Sequence, residues 1–441
     1  MTSAVQSAYE SLPPTSARLY RLVGVEAPPL LDPAAAAVLG ELSQDAASGH
    51  LRVLADAGLL AERHDQPWLG PCYRMTHPVL RHARRCAAEA ESDDAVRDAM
   101  GRWVRWLLAT FTRAERLITP DHRELDRDVA GAPGWPDFRD EAGALEWLTA
   151  RQDDLRTAVY VAAEYGWDEL VWQLVHAAWP LFQRIRPLAL WVELLEQGLA
   201  AARRTGDRLA QREMLTASVG VLRGLHRYGG AAVRASEALT LAREDSDSLA
   251  EAQALHGLGA CHHARGEEPV ALAVLGEAME IRRGLGYTRG VGLSRLVVGL
   301  VHLEAERPMD AMAQLAVARE ELEEAEDRFN AARALAWLGR AHSRAGRPDA
   351  AFRLGSEALG EFRATGSPPW QARALYLLGQ STEDHHDSER AVHLYARAVA
   401  LAATASPSDV DHYTEALNRV AGGDGTSAAS AESAPGDGPP S

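Results

Sequence analysis

The sequence contains no lysine: all 46 basic side chains are arginine. Schiff-base, P-loop and kinase-type lysine chemistries are therefore excluded. Asparagine occurs twice (Asn330, Asn418) and isoleucine three times (Ile118, Ile185, Ile281). A chain poor in isoleucine and rich in Ala, Leu, Arg and Glu favours helix over sheet. The three cysteines (Cys72, Cys86, Cys261) form no CxxC pair, which is the usage of reduced thiols. No apolar run approaches the roughly 20 residues of a membrane span. The opening MTSAVQSAYESLPP has neither the basic nor the apolar region of a signal peptide. The expectation is a cytoplasmic protein with no membrane contact. The 62 acidic side chains give a net charge of −16, which opposes whole-chain attraction to nucleic acid but leaves room for a local patch.

What is abundant is repetition. From about residue 207 the chain repeats with a period of 40, with segment openings at Asp207, Asp247, Tyr287, Asp327 and Ser367. Alanine recurs at 231, 271, 311, 351 and 391, and again at 238, 278, 318, 358 and 398. Glycine stands at 259, 299, 339 and 379, with Val219 in the first copy. Leu255, Leu258 and Gly259 share one helix face; Ala271, Leu275 and Ala278 share another. Breakers separate the two helices at Gly266-Glu-Glu-Pro269, Arg307-Pro308 and Gly346-Arg-Pro348. Neither helix can bury its stripe alone, so neighbouring hairpins must stack. The Leu-Gly pair and the two alanines resemble the tetratricopeptide repeat, here lengthened from 34 residues to a 40-residue period. Residues 207–421 are expected to be such repeats with a C-terminal cap helix over 409–420. The Gly/Ser/Ala/Pro-rich tail 422–441 is expected to be disordered.

Residues 91–206 read as an irregular helical lead-in with a degenerate repeat. Long helices are expected at about 93–118, 140–164, 168–184 and 188–204. Eight of the eleven tryptophans fall between Trp103 and Trp191, where packing explains them better than a cage around a cation. Residues 1–90 differ. A helix follows Pro13-Pro14, Asp32 caps a second, QDAASGHLRVLADAGLL is a third, and LLAERH and CYRM flank the loop DQPWLGP as short strands. That order is a winged-helix pattern. Its third helix sets Arg52 against Asp45 and Asp56, so Arg52 is a weak candidate for DNA contact. The fold class expected is mostly α: a winged helix followed by an α-solenoid.

The segments AYESLPPTSARLYRLVG, LRVLADAGLLAE, YRMTHPVLRHAR and EAGALEWLTARQDDLRTAV, followed by long repeats, resemble the C-terminal half of the actinobacterial SARP/STAND-type transcriptional regulators. In that family an NB-ARC ATPase precedes the winged helix and the repeats act as sensor or partner arm. This chain begins where the ATPase would end, and it contains no G-x-x-x-x-G-K-[ST]. The stretch matching the family's MHD-like motif is Met75-Thr76-His77-Pro78, with proline in place of the acid. His77 is therefore read as capping or packing at a helix start. No nucleotide site is expected.

Other chemistry is set aside. Gly284-Leu-Gly-Tyr-Thr-Arg-Gly-Val-Gly292 has no preceding strand and reads as a linker. His262, His302 and His342 recur one repeat apart, about 10 Å, too far for one metal ion to bridge. The pairs His262-His263 and His385-His386 carry no ligand spacing, and Asp121, Glu124, Asp126 and Asp128 lack the EF-hand pattern. No GxSxG elbow is present. No metal, cofactor or enzymatic activity is expected.

What remains is the groove. In tetratricopeptide repeats the first-helix residues turned away from the partner helix line the concave face. Here they include Gln253, His256 and His263; Leu293, Leu296 and Leu300; Arg333, Arg340 and Arg344; and Arg373 and Tyr376. An apolar stripe beside arginines suits an amphipathic or acidic segment. The reading is a non-enzymatic regulatory scaffold that binds a protein or peptide in this groove. The alternative is a transcription factor with its winged helix on DNA and its repeats as sensor.

Overall fold

In the computed structural model the structure describes residues 2–427, apart from 27, 64–69, 128, 130–132, 134 and 135. Most of the DQPWLGP loop and of the 422–441 tail lies outside the described residues. Contacts divide the chain into two units: residues 1–183 with 187–217, and residues 184–186 with 218–441.

The first unit opens with α1 (Thr2–Glu10), α2 (Pro14–Val25), α3 (Pro33–Gly40) and α4 (Gln44–Asp56). Strands β1 (Ala61–Arg63) and β2 (Cys72–Arg74) pair antiparallel, Glu62 opposite Tyr73, and Tyr73 also bridges to Leu31. Three helices and a hairpin in this order form the winged helix. Asp32 caps α3 as expected, its carboxylate accepting from the amide of Ala35 at 2.8 Å. Ser43 caps α4 through the amide of Ala46. Helix α1 has no counterpart in the sequence reading.

The lead-in helices are α5 (His77–Ala90), α6 (Asp93–Ile118), α7 (Glu141–Ala150), α8 (Gln152–Glu164), α9 (Asp168–Ala177), α10 (Trp179–Arg184) and α11 (Leu188–Thr205). Two expected long helices are each broken. The 140–164 helix divides at Arg151, and the 168–184 helix at Ala178 before Trp179-Pro180. Arg151 explains the first break. Its fully buried guanidinium donates to the Leu30 carbonyl at 2.8 Å and to Asp154 at 2.7 Å, and it also bonds Asp32. It lies against the rings of Trp106 and Trp147 as well. The described tryptophans of this region are packing residues, and the cation on which Trp106 and Trp147 converge is the protein's own.

The second unit is the repeat array. Its hairpins are α12 (Arg208–Gly224, divided between the units) with α13 (Tyr228–Glu244), α14 (Ser248–Ala264) with α15 (Glu268–Gly284), and α16 (Thr288–Glu304) with α17 (Pro308–Glu324). They continue as α18 (Arg328–Arg344) with α19 (Pro348–Ala364), then α20 (Pro368–Asp384) with α21 (Ser388–Ala405). Helix α22 (Val410–Ser427) closes the array, so residues 422–427 belong to a helix and not to a disordered tail.

The recurring small residues are where helices meet. Ala231, Ala271, Ala311, Ala351 and Ala391 are all buried, as are the five alanines seven positions later. A Cβ on Gly259 would lie 2.6 Å from Leu275, one on Gly299 2.6 Å from Leu315, and one on Gly379 2.7 Å from Tyr395. In these three hairpins the glycine of the first helix receives the large side chain of the second, whereas Gly339 meets the backbone of Ala351 and Gly355. The first copy reverses the volumes: Val219 faces a cluster that contains Ala235 at the leucine's position. First helices of successive hairpins also touch each other, α14 with α16, α16 with α18 and α18 with α20. Among the described residues successive second helices meet less closely than these first helices do, so the stack curves toward its first helices.

Candidate functional site

The inner row of the first helices is the candidate site, and the structure sorts its members. Gln253, His256, Leu293, Leu300, Arg333, Arg340 and Arg373 are half-buried, and Arg344 is exposed. Leu296 and Tyr376 do not belong in the groove. Leu296 is in the hydrophobic core. Tyr376 is 5 % exposed and stacks on Tyr413 of α22 at 4.5 Å, because α22 covers α20 as a further first helix would. His263 is also buried, 8 % exposed, with Glu304 at 3.4 Å. The expected apolar stripe, which also included Leu303, therefore loses Leu296, and Leu293, Leu300 and Leu303 lean on the core beneath them.

The arginines divide by partner. Arg340 pairs with Asp384, and Arg344 lies 3.2 Å from Glu306. Arg373 lies 3.4 Å from Asp409 with its guanidinium near the Tyr413 ring. Arg333 makes no ion pair among the described residues, and Asp327 acts on it by its field and through Asn330. Arg333 donates to the Asn330 amide oxygen at 2.6 Å and stacks over Trp370 at 4.6 Å. Three further arginines bear on this row and were not singled out from the sequence. Arg223 occupies, in the first copy, the position that His263 holds in the second. Arg282 rises from the second helix α15, and Arg186 belongs to the three-residue segment that packs with this unit. The Ser367 hydroxyl donates to the Arg184 carbonyl at 2.6 Å, and the Arg184 guanidinium lies 4.0 Å above Phe329. Register could have revealed Arg223; nothing in the local sequence marks Arg186.

Other sequence candidates fare differently. His77 is exposed at the first turn of α5, neither packed nor capping it. Helix α4 presents Asp45, Arg52, Val53 and Asp56 outward, two carboxylates to one guanidinium. His262 bonds Glu267, and His302 accepts from Arg307 at 3.2 Å, so these recurring histidines serve their own hairpins.

The first unit contains a cluster that the sequence reading missed: Glu115, His122 and His176, whose ligand-type atoms lie within 4.8 Å of one another. Its centre is filled by Arg127, which bonds both the Glu115 carboxylate and Nδ1 of His176. The rings of His122 and His176 stack 4.5 Å apart, 22° from parallel, so their lone pairs do not converge. Burial raises the Glu115 carboxyl, but hydrogen bonds from His122 and Arg127 bring it below its ordinary range. Burial, with the charges of His122 and Arg127, holds His176 far below the usual imidazole value. A guanidinium already supplies the positive charge that a metal would bring.

Comparison with known proteins agrees with the motif resemblance. The chain is similar to Regulatory protein AfsR of Streptomyces griseus, 25% identical over 398 residues, covering 89% of this chain and 39% of that protein. It thus spans about two fifths of the curated relative's length. No family model matches. Among solved structures it is similar to a STAND protein with a tetratricopeptide-repeat sensor from Pyrococcus horikoshii (14% identity, 95% of this chain and 62% of that one, TM-score 0.42). It is also similar to a Rap protein complexed with Competence and Sporulation Factor (12%, 74% and 97%, TM-score 0.46). These structural likenesses concern the fold alone. Among the described residues no helix is long and apolar enough to cross a membrane.

Proposed function

We propose that this chain, a winged helix joined to tetratricopeptide-like repeats and similar to a regulatory protein, is a non-enzymatic regulatory scaffold. It holds a protein or peptide segment along the first helices of its repeats. One observation supports this most: the inner row from Gln253 to Arg373 keeps polar, cationic and apolar side chains in contact with solvent on the curved side of the stack. Alanine and glycine make the hairpins pack, but packing does not require this row. A curved surface of mixed polarity made of rigid helices suits an extended or helical segment.

The test is selection of binding peptides from a displayed library on the full chain, followed by site-specific photo-crosslinking. Crosslinkers at Gln253 and Arg340 are expected to capture the selected peptides. Crosslinkers at Val233 and Met309, exposed on second helices, are expected not to. Capture from the second-helix positions only, or no selectable peptide, overturns the proposal.

A further inference from the structure

The second and third copies depart from their siblings at positions that meet in space, Arg282 in the second and Gly290 and Ser294 in the third. Where Arg282 stands, the other copies carry Ala242, Leu322, Phe362 and Ala402, all buried. Arg282 is buried too, 3 % exposed, and donates to the Gly290 carbonyl at 2.7 Å and the Ser294 hydroxyl at 2.6 Å. Ser294 replaces the alanines at 254, 334 and 374. Gly290 is needed for space, since a Cβ there would lie 2.8 Å from the Arg282 side chain and 2.4 Å from Tyr287. The Ser294 hydroxyl is in turn 3.1 Å from Nδ1 of His256. Three exceptions to the repeat thus hold one cation in a place where every sibling is apolar. Burial of such a group is costly and a solenoid hairpin does not need it.

That cation has company. Burial, with the charges of Arg282, Arg223 and Arg333, holds the His256 ring far below its ordinary pKa, so side chains from copies one, two and four bear on one point. Arg223 has no carboxylate partner, and its buried Nε has no hydrogen-bond partner among the described residues; the same is true of Nε of Arg333. Arg186 makes no ion pair among the described residues, and lies in the field of Arg373 and Arg223, opposed in part by Asp409 and Tyr413. By contrast Arg289 has Asp327 at 2.7 Å and Arg295 has Glu321 at 2.9 Å. Burial pushes Arg282 and Arg333 down to about 10, which still leaves both charged at neutral pH. Among the described residues none of these four guanidinium groups makes an ion pair, and Asp327 and Asp409 bear on Arg333 and Arg186 through their fields alone.

We infer that the middle of this groove is a recognition site for acidic side chains of a peptide partner. Arg223 and Arg333 are the reading groups, and Arg186 and the Arg282–Ser294–His256 chain form the positive surroundings. The inference rests on the groove reading above and adds the chemical class of the occupant. Guanidinium groups recognise carboxylates in paired hydrogen bonds, and charge complementarity inside a partly enclosed groove is weakly screened. Leu293 and Leu300 beside the site give an apolar surface for the rest of the segment.

The experiment is fluorescence anisotropy on the full chain with a labelled ten-residue glutamate peptide and a ten-residue glutamine peptide as probes. The glutamate peptide is expected to bind at least tenfold tighter, with affinity falling as salt rises. Arg223→Gln and Arg333→Gln should each weaken it tenfold or more, while Arg227→Gln on the exposed surface should not. Melting provides the second readout. The two groove variants are expected to melt no lower than wild type, because each loses an unneutralised charge, and to lose the peptide-induced rise in Tm. Equal affinity for both probes, or glutamate binding indifferent to both groove substitutions, overturns the inference. If groove crosslinking of library peptides persists in that case, the scaffold reading stands and only the acidic class is rejected.

Discussion

At the scale of single residues, the array shows two regularities with measurable consequences. A residue with left-handed backbone stands every 20 positions from 206 to 386. Five are glycine (Gly206, Gly266, Gly286, Gly346, Gly366) and five are not (His226, Ser246, Glu306, Glu326, His386). This residue ends each helix, and a side chain there is disfavoured by about 1 kcal/mol. Glu326→Gly should therefore stabilise the repeats by about 0.5–1 kcal/mol, and Gly346→Ala should destabilise them by a similar amount. Both are read as shifts in the urea midpoint. The second regularity is the glycine that faces a large residue across three of the hairpins, at Gly259, Gly299 and Gly379. Gly259→Val should cost about 1–3 kcal/mol through overpacking against Leu275. The double variant with Leu275→Ala reproduces the first copy's Val219 and Ala235 and should recover most of that loss. A double-mutant cycle showing simple additivity would contradict the packing account.

At the scale of elements, the first unit depends on Arg151. Asp32 and Arg151 lie 119 residues apart in sequence, yet one guanidinium ties the start of α3, the Leu30 backbone and Asp154 together. Leu30 is held from both sides, since its amide also donates to Asp154 at 3.0 Å. Removing the cation leaves two buried carboxylates without their partner, so Arg151→Ala should cost about 3–5 kcal/mol. Arg151→Lys should restore only part of that loss, because one ammonium cannot reach all three acceptors in a plane. The check is urea denaturation followed by tryptophan emission, which reports directly because Trp106 and Trp147 flank the guanidinium. The helix break at Arg151 was not legible for the same reason. Residues 140–164 have helical periodicity throughout, and what stops the helix is a partner more than a hundred positions away.

At the scale of the whole molecule, pH acts through buried histidines of the repeats. Burial, helped by Arg223, pushes His263 down from 6.5 to about 4, and burial with the charges of Arg282, Arg223 and Arg333 holds His256 well below its ordinary value. Glu304 at 3.4 Å is the carboxylate facing His263, but burial raises its own pKa. Between pH 6.5 and 4 the unfolded chain binds the proton that the folded chain refuses, so stability falls as pH falls through that window. For His263 alone the loss at pH 4 is on the order of 2–3 kcal/mol. The urea midpoint of the repeats should drop across this range, and His263→Gln should flatten the drop. A midpoint that stays constant from pH 6.5 to 4 would show that these rings are not held neutral by the fold.

The period, the hairpin, the buried alanines and the winged-helix order were determined by the sequence alone. Each is a local pattern repeated in register, and packing of adjacent helices needs only neighbours 20 or 40 residues away. Tertiary structure alone decided which inner-row residues remain reachable. The curvature of the stack sinks Leu296, α22 covers Tyr376, and neither is encoded within its own helix. The same curvature brings Arg186, Arg223, Arg282 and Arg333 to one groove from positions up to about 150 apart. Charges that look scattered along the chain become neighbours only when the hairpins have stacked.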